Sequence, residues 1–166
     1  MSQQPYDLVI IGAGSGGLIA AEFAVQLGAK TALVEKDRIG GDCTWTGCVP
    51  SKALLKAAKV AHQVRTASQY GIISQSPSAD MVRVHEYVQS AVQQIYQGTT
   101  PEALRQKGID VYLGAARFID SSKILSGDTT LHARHFLITT GARPVVPEIS
   151  GLSNVPFVTY QQIFDN

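Results

Sequence analysis

Leu8 to Ile11 is an unbroken apolar run after a polar start, and it predicts a buried strand. Gly12 to Gly17 interrupts it. Apolar positions then recur at helical spacing from Leu18 to Leu27 (Leu18, Ala21, Ala24, Val25, Leu27), and Gly28 follows as a helix-ending residue. Thr31 to Val34 is a second apolar run, closed by Glu35. Strand, glycine turn, helix, glycine and strand within about 30 residues make a βαβ unit. Such units cross over right-handed and imply a parallel sheet, so the fold class is α/β.

Gly40 to Pro50 reads as a loop holding glycine pairs and both cysteines. Ser51 to about Ala67 reads as a helix, with Leu54, Leu55, Ala58, Ala61 and Val64 at helical spacing. Thr66 to Asp80, rich in Ser, Gln and Pro, reads as a surface connection. Val82 to Tyr96 predicts a second amphipathic helix, carried by Val84, Val88, Ala91, Val92 and Ile95. Thr100-Pro101-Glu102 caps a short third helix that Gly108 stops. Strands follow: Ile109 to Phe118, Lys123 to Leu125, Thr129 to Ala133 and His135 to Thr140, separated by Asp120-Ser121-Ser122 and Ser126-Gly127-Asp128 turns. Gly141 to Asn166 carries Pro144, Pro147 and Pro156 and shows little periodicity.

Length and composition narrow the picture. The 166 residues suffice for one domain with its own core and fall short of two nucleotide-binding domains. Charged residues are 16% and hydrophobic ones 45%, with net charge +1, which argues against disorder and against a nucleic-acid partner. No apolar run reaches the roughly 18 residues of a membrane helix, and the amino end lacks a signal-peptide pattern, so a cytoplasmic location is expected. Eight of the fifteen glycines, and both cysteines, lie in the first 48 residues. The unusual residues are therefore concentrated in one stretch.

Gly12-Ala13-Gly14-Ser15-Gly16-Gly17 fits G-x-G-x-x-G at positions 12, 14 and 17. The first glycine permits a tight turn, the second lets backbone approach a pyrophosphate, and the third lets the helix pack on the strand. The helix start offers free N–H groups and a positive partial charge to phosphates. Glu35, 23 residues after Gly12, stands where an acid binds a ribose hydroxyl. A glycine turn without a ligand is the bland alternative, and the strand–helix context weighs against it. These residues do not separate a flavin from a nicotinamide dinucleotide.

Cys43 and Cys48 sit in Gly40-Gly41-Asp42-Cys43-Thr44-Trp45-Thr46-Gly47-Cys48-Val49-Pro50-Ser51-Lys52. Four intervening residues with a glycine among them can bring two sulfurs within bonding distance. Cys48 is expected at a helix start, where the dipole favours a thiolate. Lys52 projects from the same face one turn on, where a cation would stabilise a thiolate or a reduced cofactor. Inert reduced cysteines and half of a zinc site are the alternatives, and no second Cys or His pair complements the latter. Trp45 would either shield a cofactor or plug the loop. Lys56 and Lys59 read as solvated, and His132 and His135 as surface residues.

The stretch resembles the redox-active segment of the flavoprotein pyridine nucleotide–disulfide oxidoreductases, the family of dihydrolipoamide dehydrogenase, glutathione reductase and mercuric reductase. Its pattern is G-G-T-C, a variable residue, Asn, another variable residue, then G-C-V-P-S/T-K. Gly40, Gly41, Cys43, Gly47, Cys48, Val49, Pro50, Ser51 and Lys52 match, while Asp42 replaces the usual Thr and Trp45 the usual Asn. The variant is most similar to the mercuric-reductase-like members. Gly114-Ala115-Ala116-Arg117-Phe118 resembles the family segment that meets the adenine of FAD, and Thr139-Thr140-Gly141-Ala142-Arg143-Pro144 its second FAD motif.

The resemblance implies a Rossmann-like FAD-binding domain over residues 1–150, with a parallel sheet and an added antiparallel β-meander, left incomplete. Residues 151–166 would enter an NAD(P)-binding domain that the chain lacks. It implies electrons passing from NAD(P)H through FAD to Cys43–Cys48 and on to a small disulfide, dithiol or metal-ion substrate. Cys43 would exchange with substrate, Cys48 would face the flavin, and Lys52 would lie near its reactive edge. Gly12, Gly14, Ser15, Gly16, Gly17, Glu35, Lys36, Gly41, Asp42, Cys43, Gly47, Cys48, Lys52, Ala116, Thr140 and Gly141 are the expected cofactor set. The full-length protein would be a homodimer, and this piece alone would not turn over. A non-catalytic flavin- or dinucleotide-binding module is the competing expectation.

Overall fold

A computed structural model describes residues 4–164. The first βαβ unit forms as expected: β1 (Tyr6–Ile11), α1 (Ser15–Gln26) and β2 (Thr31–Glu35). Next come α2 (Gly41–Trp45), α3 (Cys48–Arg65), α4 (Met81–Tyr96) and α5 (Pro101–Gln106). The strands β3 (Ile109–Leu113), β4 (Ala116–Asp120), β5 (Lys123–Ser126) and β6 (Thr129–Ile138) follow. They form one sheet in the order β3-β2-β1-β6-β5-β4. The first four strands are parallel, and β6, β5 and β4 form the antiparallel meander. This is the Rossmann-like α/β architecture the sequence implied.

Alternation along the strands divides the core. Ile10, Leu33, Ile109 and Val111 face one side with Ala21 of α1, Leu104 of α5 and Ile39. Val9, Ala32 and Val34 face the other, with Tyr6 and with Ile124, Leu131 and Ala133 of the meander. Both faces of the central strands are thus covered, which is why those strands read as continuous apolar runs.

Several boundaries differ from the sequence reading. The run Ile109 to Phe118 is two strands: β3 pairs with β2, the chain turns at Gly114, and β4 pairs with β5. The runs on either side of Arg134 are one strand, β6. Arg134 continues its alternation outward and pairs with Asp7 at 3.1 Å. The stretch Gly40 to Pro50 is not a loop but a single helical turn, α2, followed by the start of α3, which begins at Cys48.

The helical stripes are also less buried than their spacing suggests. On α1, Ala21 and Ala24 are buried but Leu27 is exposed. On α4, Val88 and Val92 are buried but Ile95 is exposed. On α3, Leu54 and Leu55 are exposed and only Pro50 and Ala53 are buried. Its packing is on α2 and α4 rather than on the sheet, so its apolar side has a partner along one flank only. No helix of the described residues is long and apolar enough to cross a membrane.

Candidate functional site

The parallel strands all end on one rim. Ile11 pairs with Val34 on one side and Ile138 on the other, and Glu35 pairs with Leu113. The strand order runs outward from β1 to β2 and β3, then switches to β6 on the opposite side. Ligands of open α/β sheets bind at such a switch point, outside the carboxyl ends of the strands. Gly12 and Lys36 follow directly from these ends, Glu35 closes β2, Thr140 and Gly141 lie just beyond the end of β6, and Ala116 opens the strand after β3.

The glycine turn joins β1 to α1. The Gly12 N–H donates to the Val34 carbonyl at 2.8 Å, and the Ala13 N–H donates to Glu35 Oε2 at 2.7 Å. The other Glu35 oxygen accepts from the Asp37 N–H at 2.9 Å. Glu35, read from sequence as a ribose ligand, therefore also pins the turn. A carboxylate has about four acceptor positions, so capacity for a ribose hydroxyl remains. A Cβ at Gly17 would collide with the Gly12 carbonyl oxygen. This glycine is fixed by helix–strand packing.

Gly14 is different. Its backbone is extended (φ −77°, ψ −172°), and a Cβ there would meet only the Gly41 Cα, at 3.9 Å. Neither conformation nor internal packing demands glycine at this position. The space fits a ligand's close approach. Beside it α1 starts with no side-chain cap and no acid in its first turn, leaving that end open to an anion. Ser15 and Gly16 are exposed there. Gly141, at φ +70° with nothing near its Cβ position, gives a second open approach on the same rim. The residues present fit the pyrophosphate of a dinucleotide.

The cysteine segment is tied to this turn. The Gly40 N–H donates to the Ala13 carbonyl at 2.8 Å. Gly41, at φ +56°, lies so close that a Cβ on it would stand 2.8 Å from the Gly14 Cα. Behind Cys43, a Cβ on Gly47 would come within 2.9 Å of the Asp42 carbonyl oxygen, so glycine lets α3 start close against α2. Cys43 on α2 and Cys48 on α3 are thereby brought face to face as free thiols, Cys43 half-buried and Cys48 exposed.

Their electrostatics are unequal. The Cys43 thiol is pulled below the ordinary thiol value, chiefly because the Cys48 thiol donates to it. The Ser15 hydroxyl, the Cys48 backbone N–H and the Lys52 charge act in the same direction, against partial burial. The Cys48 thiol is pushed up by donating to Cys43 and by the repulsion of a second charge, and Lys52 opposes this. Sequence reasoning gave the helix-start advantage to Cys48. The structure gives the larger benefit to Cys43, because the donors converge on it.

Trp45 plugs. Its Nε1–H donates to the Ile39 carbonyl at 2.8 Å, its ring packs on Tyr96 at 5.1 Å, and the Arg38 guanidinium lies 4.8 Å above it. Two residues outside the expected set matter. The Thr139 hydroxyl donates to the carbonyls of Gly12 at 2.8 Å and Ile11 at 3.1 Å, holding the glycine turn to the end of β6. The Tyr160 hydroxyl donates to Asp42 Oδ2 at 2.8 Å. Thr139 was signalled by its place in the Thr-Thr-Gly strand exit. Tyr160 has no sequence signal.

A family model described as pyridine nucleotide-disulphide oxidoreductase matches residues 6–164. A mercuric reductase of Staphylococcus aureus is 36% identical over 154 residues, covering 93% of this chain and 28% of that protein. A dihydrolipoyl dehydrogenase of Bacillus subtilis (strain 168) is 39% identical over 153 residues, covering 84% of this chain and 32% of the relative. A mercuric reductase of Streptomyces lividans is 36% identical over 160 residues, covering 93% and 34%. The chain thus spans about a third of the length of these relatives.

Proposed function

The chain belongs to the pyridine nucleotide-disulphide oxidoreductase family, and on that premise we propose that it is the FAD-binding, redox-disulfide part of an NAD(P)H-dependent oxidoreductase. The observation that carries this reading is the contact of the two-cysteine turn with the glycine turn, through Gly40–Ala13 and Gly41–Gly14. The first α1 turn with Gly14, Ser15 and Gly16 would hold the pyrophosphate, Glu35 and Lys36 the ribose, and Ala116, Thr140 and Gly141 the rim beyond. Gly41, Asp42, Gly47 and Lys52 would border the reactive end beside the thiols. Bound FAD would supply two-electron transfer between a nicotinamide and the cysteine pair.

The pair's own chemistry is thiol–disulfide exchange. The Cys43 thiolate attacks one sulfur of a substrate disulfide, that S–S bond breaks, and the departing thiolate takes a proton. Cys48, losing its proton, then attacks the Cys43 sulfur. The Cys43–Cys48 bond forms, the second substrate thiol leaves, and two electrons have passed to substrate. The lowered Cys43 thiol supports its role as the exchanging group, and Lys52 supports ionisation of both. The substrate class is a small disulfide or, as the names of the relatives suggest, a mercuric ion as acceptor, or a dithiol that runs the same exchange in reverse as electron donor.

We place the chemistry in the cytoplasm, in a homodimer when full length. Residues 151–166 lead toward a nicotinamide-binding unit, so the chain alone would not sustain turnover. The test is reconstitution with FAD followed by gel filtration and titration of the thiols. Expected are retained flavin absorbance and loss of two thiols per chain on mild oxidation, abolished by Cys48→Ser. A folded chain that retains no FAD would overturn the reading. Retained FAD without paired thiol oxidation would favour the non-catalytic flavin module. Steady NAD(P)H consumption by this chain would overturn the division of labour.

A further inference from the structure

Asp42 carries a carboxylate in the residue before Cys43, on the same five-residue helix. That helix hangs on two left-handed glycines, Gly40 and Gly41, and its own hydrogen bonds are few. A negative charge beside a thiol opposes its ionisation. Yet this carboxylate is not left to solvent alone. The Tyr160 hydroxyl reaches it from 118 positions away.

Tyr160 is itself held on both sides. Before it, the Thr159 N–H and hydroxyl donate to Gln162 Oε1 at 2.8 and 2.6 Å. After it, the Phe164 carbonyl accepts from Gln89 Nε2 of α4 at 3.4 Å. The tail therefore lies across the redox turn, with one tyrosine contacting it. The hydrogen bond to Asp42 pushes the Tyr160 hydroxyl above its ordinary range, so it stays a donor throughout neutral pH.

We propose that Tyr160 is a positioning residue for the redox pair: by donating to Asp42 it fixes the α2 turn and withdraws part of the carboxylate's charge from Cys43. The groups facing Cys43 are Cys48 and Lys52 from α3 and the Ser15 hydroxyl from α1, with Asp42 adjoining it on α2. Cys48, Lys52 and Ser15 favour the thiolate, and an anion at the adjoining Asp42 would oppose it. A donated O–H to a carboxylate is a charge-assisted bond that both orients and partly neutralises it. The proposal rests on the redox reading of the cysteines and adds the residue that adjusts their poise.

The test is alkylation of the reduced, full chain by iodoacetamide across pH, with Cys43 and Cys48 resolved by peptide mass. Tyr160→Phe frees the carboxylate, and the Cys43 rate profile moves to higher pH, with the rate at pH 7 falling about two- to fivefold. Asp42→Asn removes the charge and moves the profile the other way. The double variant follows Asp42→Asn, because Tyr160 then has no charge to hold. A merely structural contact would move both single variants in the same direction. Such a result, or an unchanged rate in Tyr160→Phe, overturns the proposal. FAD retention is measured alongside. A wild type without FAD overturns the redox reading but leaves the opposed alkylation shifts readable, whereas equal rates overturn the latch and leave flavin retention untouched.

Discussion

Gly41 and Gly14 meet backbone to backbone, and this contact, with the Gly40–Ala13 hydrogen bond, seats the cysteine turn on the glycine turn. A side chain at either position acts on the pair differently. Gly41→Ala places a Cβ 2.8 Å from the Gly14 Cα and puts alanine at φ +56°, a left-handed conformation that costs about 1 kcal/mol before any clash. Total destabilisation of about 2 kcal/mol is expected, with weaker FAD retention and altered Cys43 alkylation. Urea unfolding and the flavin titration check it, and wild-type values in both would refute it.

Gly14→Ala and Gly17→Ala should separate binding from folding. At Gly17 the new methyl meets the Gly12 carbonyl inside a packed helix–strand contact, and a loss of several kcal/mol or failure to fold is expected. At Gly14 the backbone is ordinary and the space open, so stability should fall by only about 0.5–1 kcal/mol, the loss of replacing an N-cap glycine by alanine. Flavin affinity should nevertheless drop at least tenfold. Equal affinity for Gly14→Ala and wild type would show that the open space is not used.

The reactivity of the pair should depend on pH in a defined sense. Cys43 ionises below the ordinary thiol value, so in the interval between the two values it holds more thiolate than a free cysteine and alkylates faster. Cys48→Ala removes the principal donor and should move the Cys43 profile to higher pH. Lys52→Gln removes a favourable charge from both thiols and should move both profiles upward by a smaller amount. A Cys43 profile that stays in place in Cys48→Ala would contradict the assignment of the donor.

Trp45 should matter for stability rather than for chemistry. Trp45→Ala loses the Nε1–H to Ile39 bond, the packing on Tyr96 and the Arg38 contact, for about 3 kcal/mol. Trp45→Phe keeps an aromatic ring and loses the bond, for about 1 kcal/mol. Denaturant melts would give both values. Flavin absorbance per folded chain should stay constant across the series.

What the sequence disclosed was whatever depended on local order. The runs Leu8–Ile11 and Thr31–Val34, with the glycines between, specify β1, α1, β2 and the glycine turn, because strand, helix and turn each leave a local mark. The α2 turn left none. Gly41, Cys43, Thr44 and Trp45 are poor helix formers, and their helical turn is seated by tertiary contact with Gly14 and Ala13. The unequal ionisation of the two thiols was equally hidden. It depends chiefly on the Cys48 thiol donating to Cys43, with the Ser15 hydroxyl adding to it from α1. Asp42–Tyr160 was beyond reach, since two exposed polar residues 118 positions apart carry no mutual signature. The outward-pointing Arg134 disguised β6 as two strands, although alternation with a charged outer residue is what a half-covered strand shows.

Strand β6 has a consequence for how the chain comes into being. Thr139, at its exit, bonds carbonyls 127 and 128 positions earlier, and the whole length of β1 lies alongside β6. In a growing chain β1, α1 and β2 are made early, but the glycine turn lacks its brace until Thr139, near the end of the domain, has been synthesised. Cys43 and Cys48 precede Thr139 in the chain by about 90 residues, so the pair is made well before the contact that closes the turn against β6.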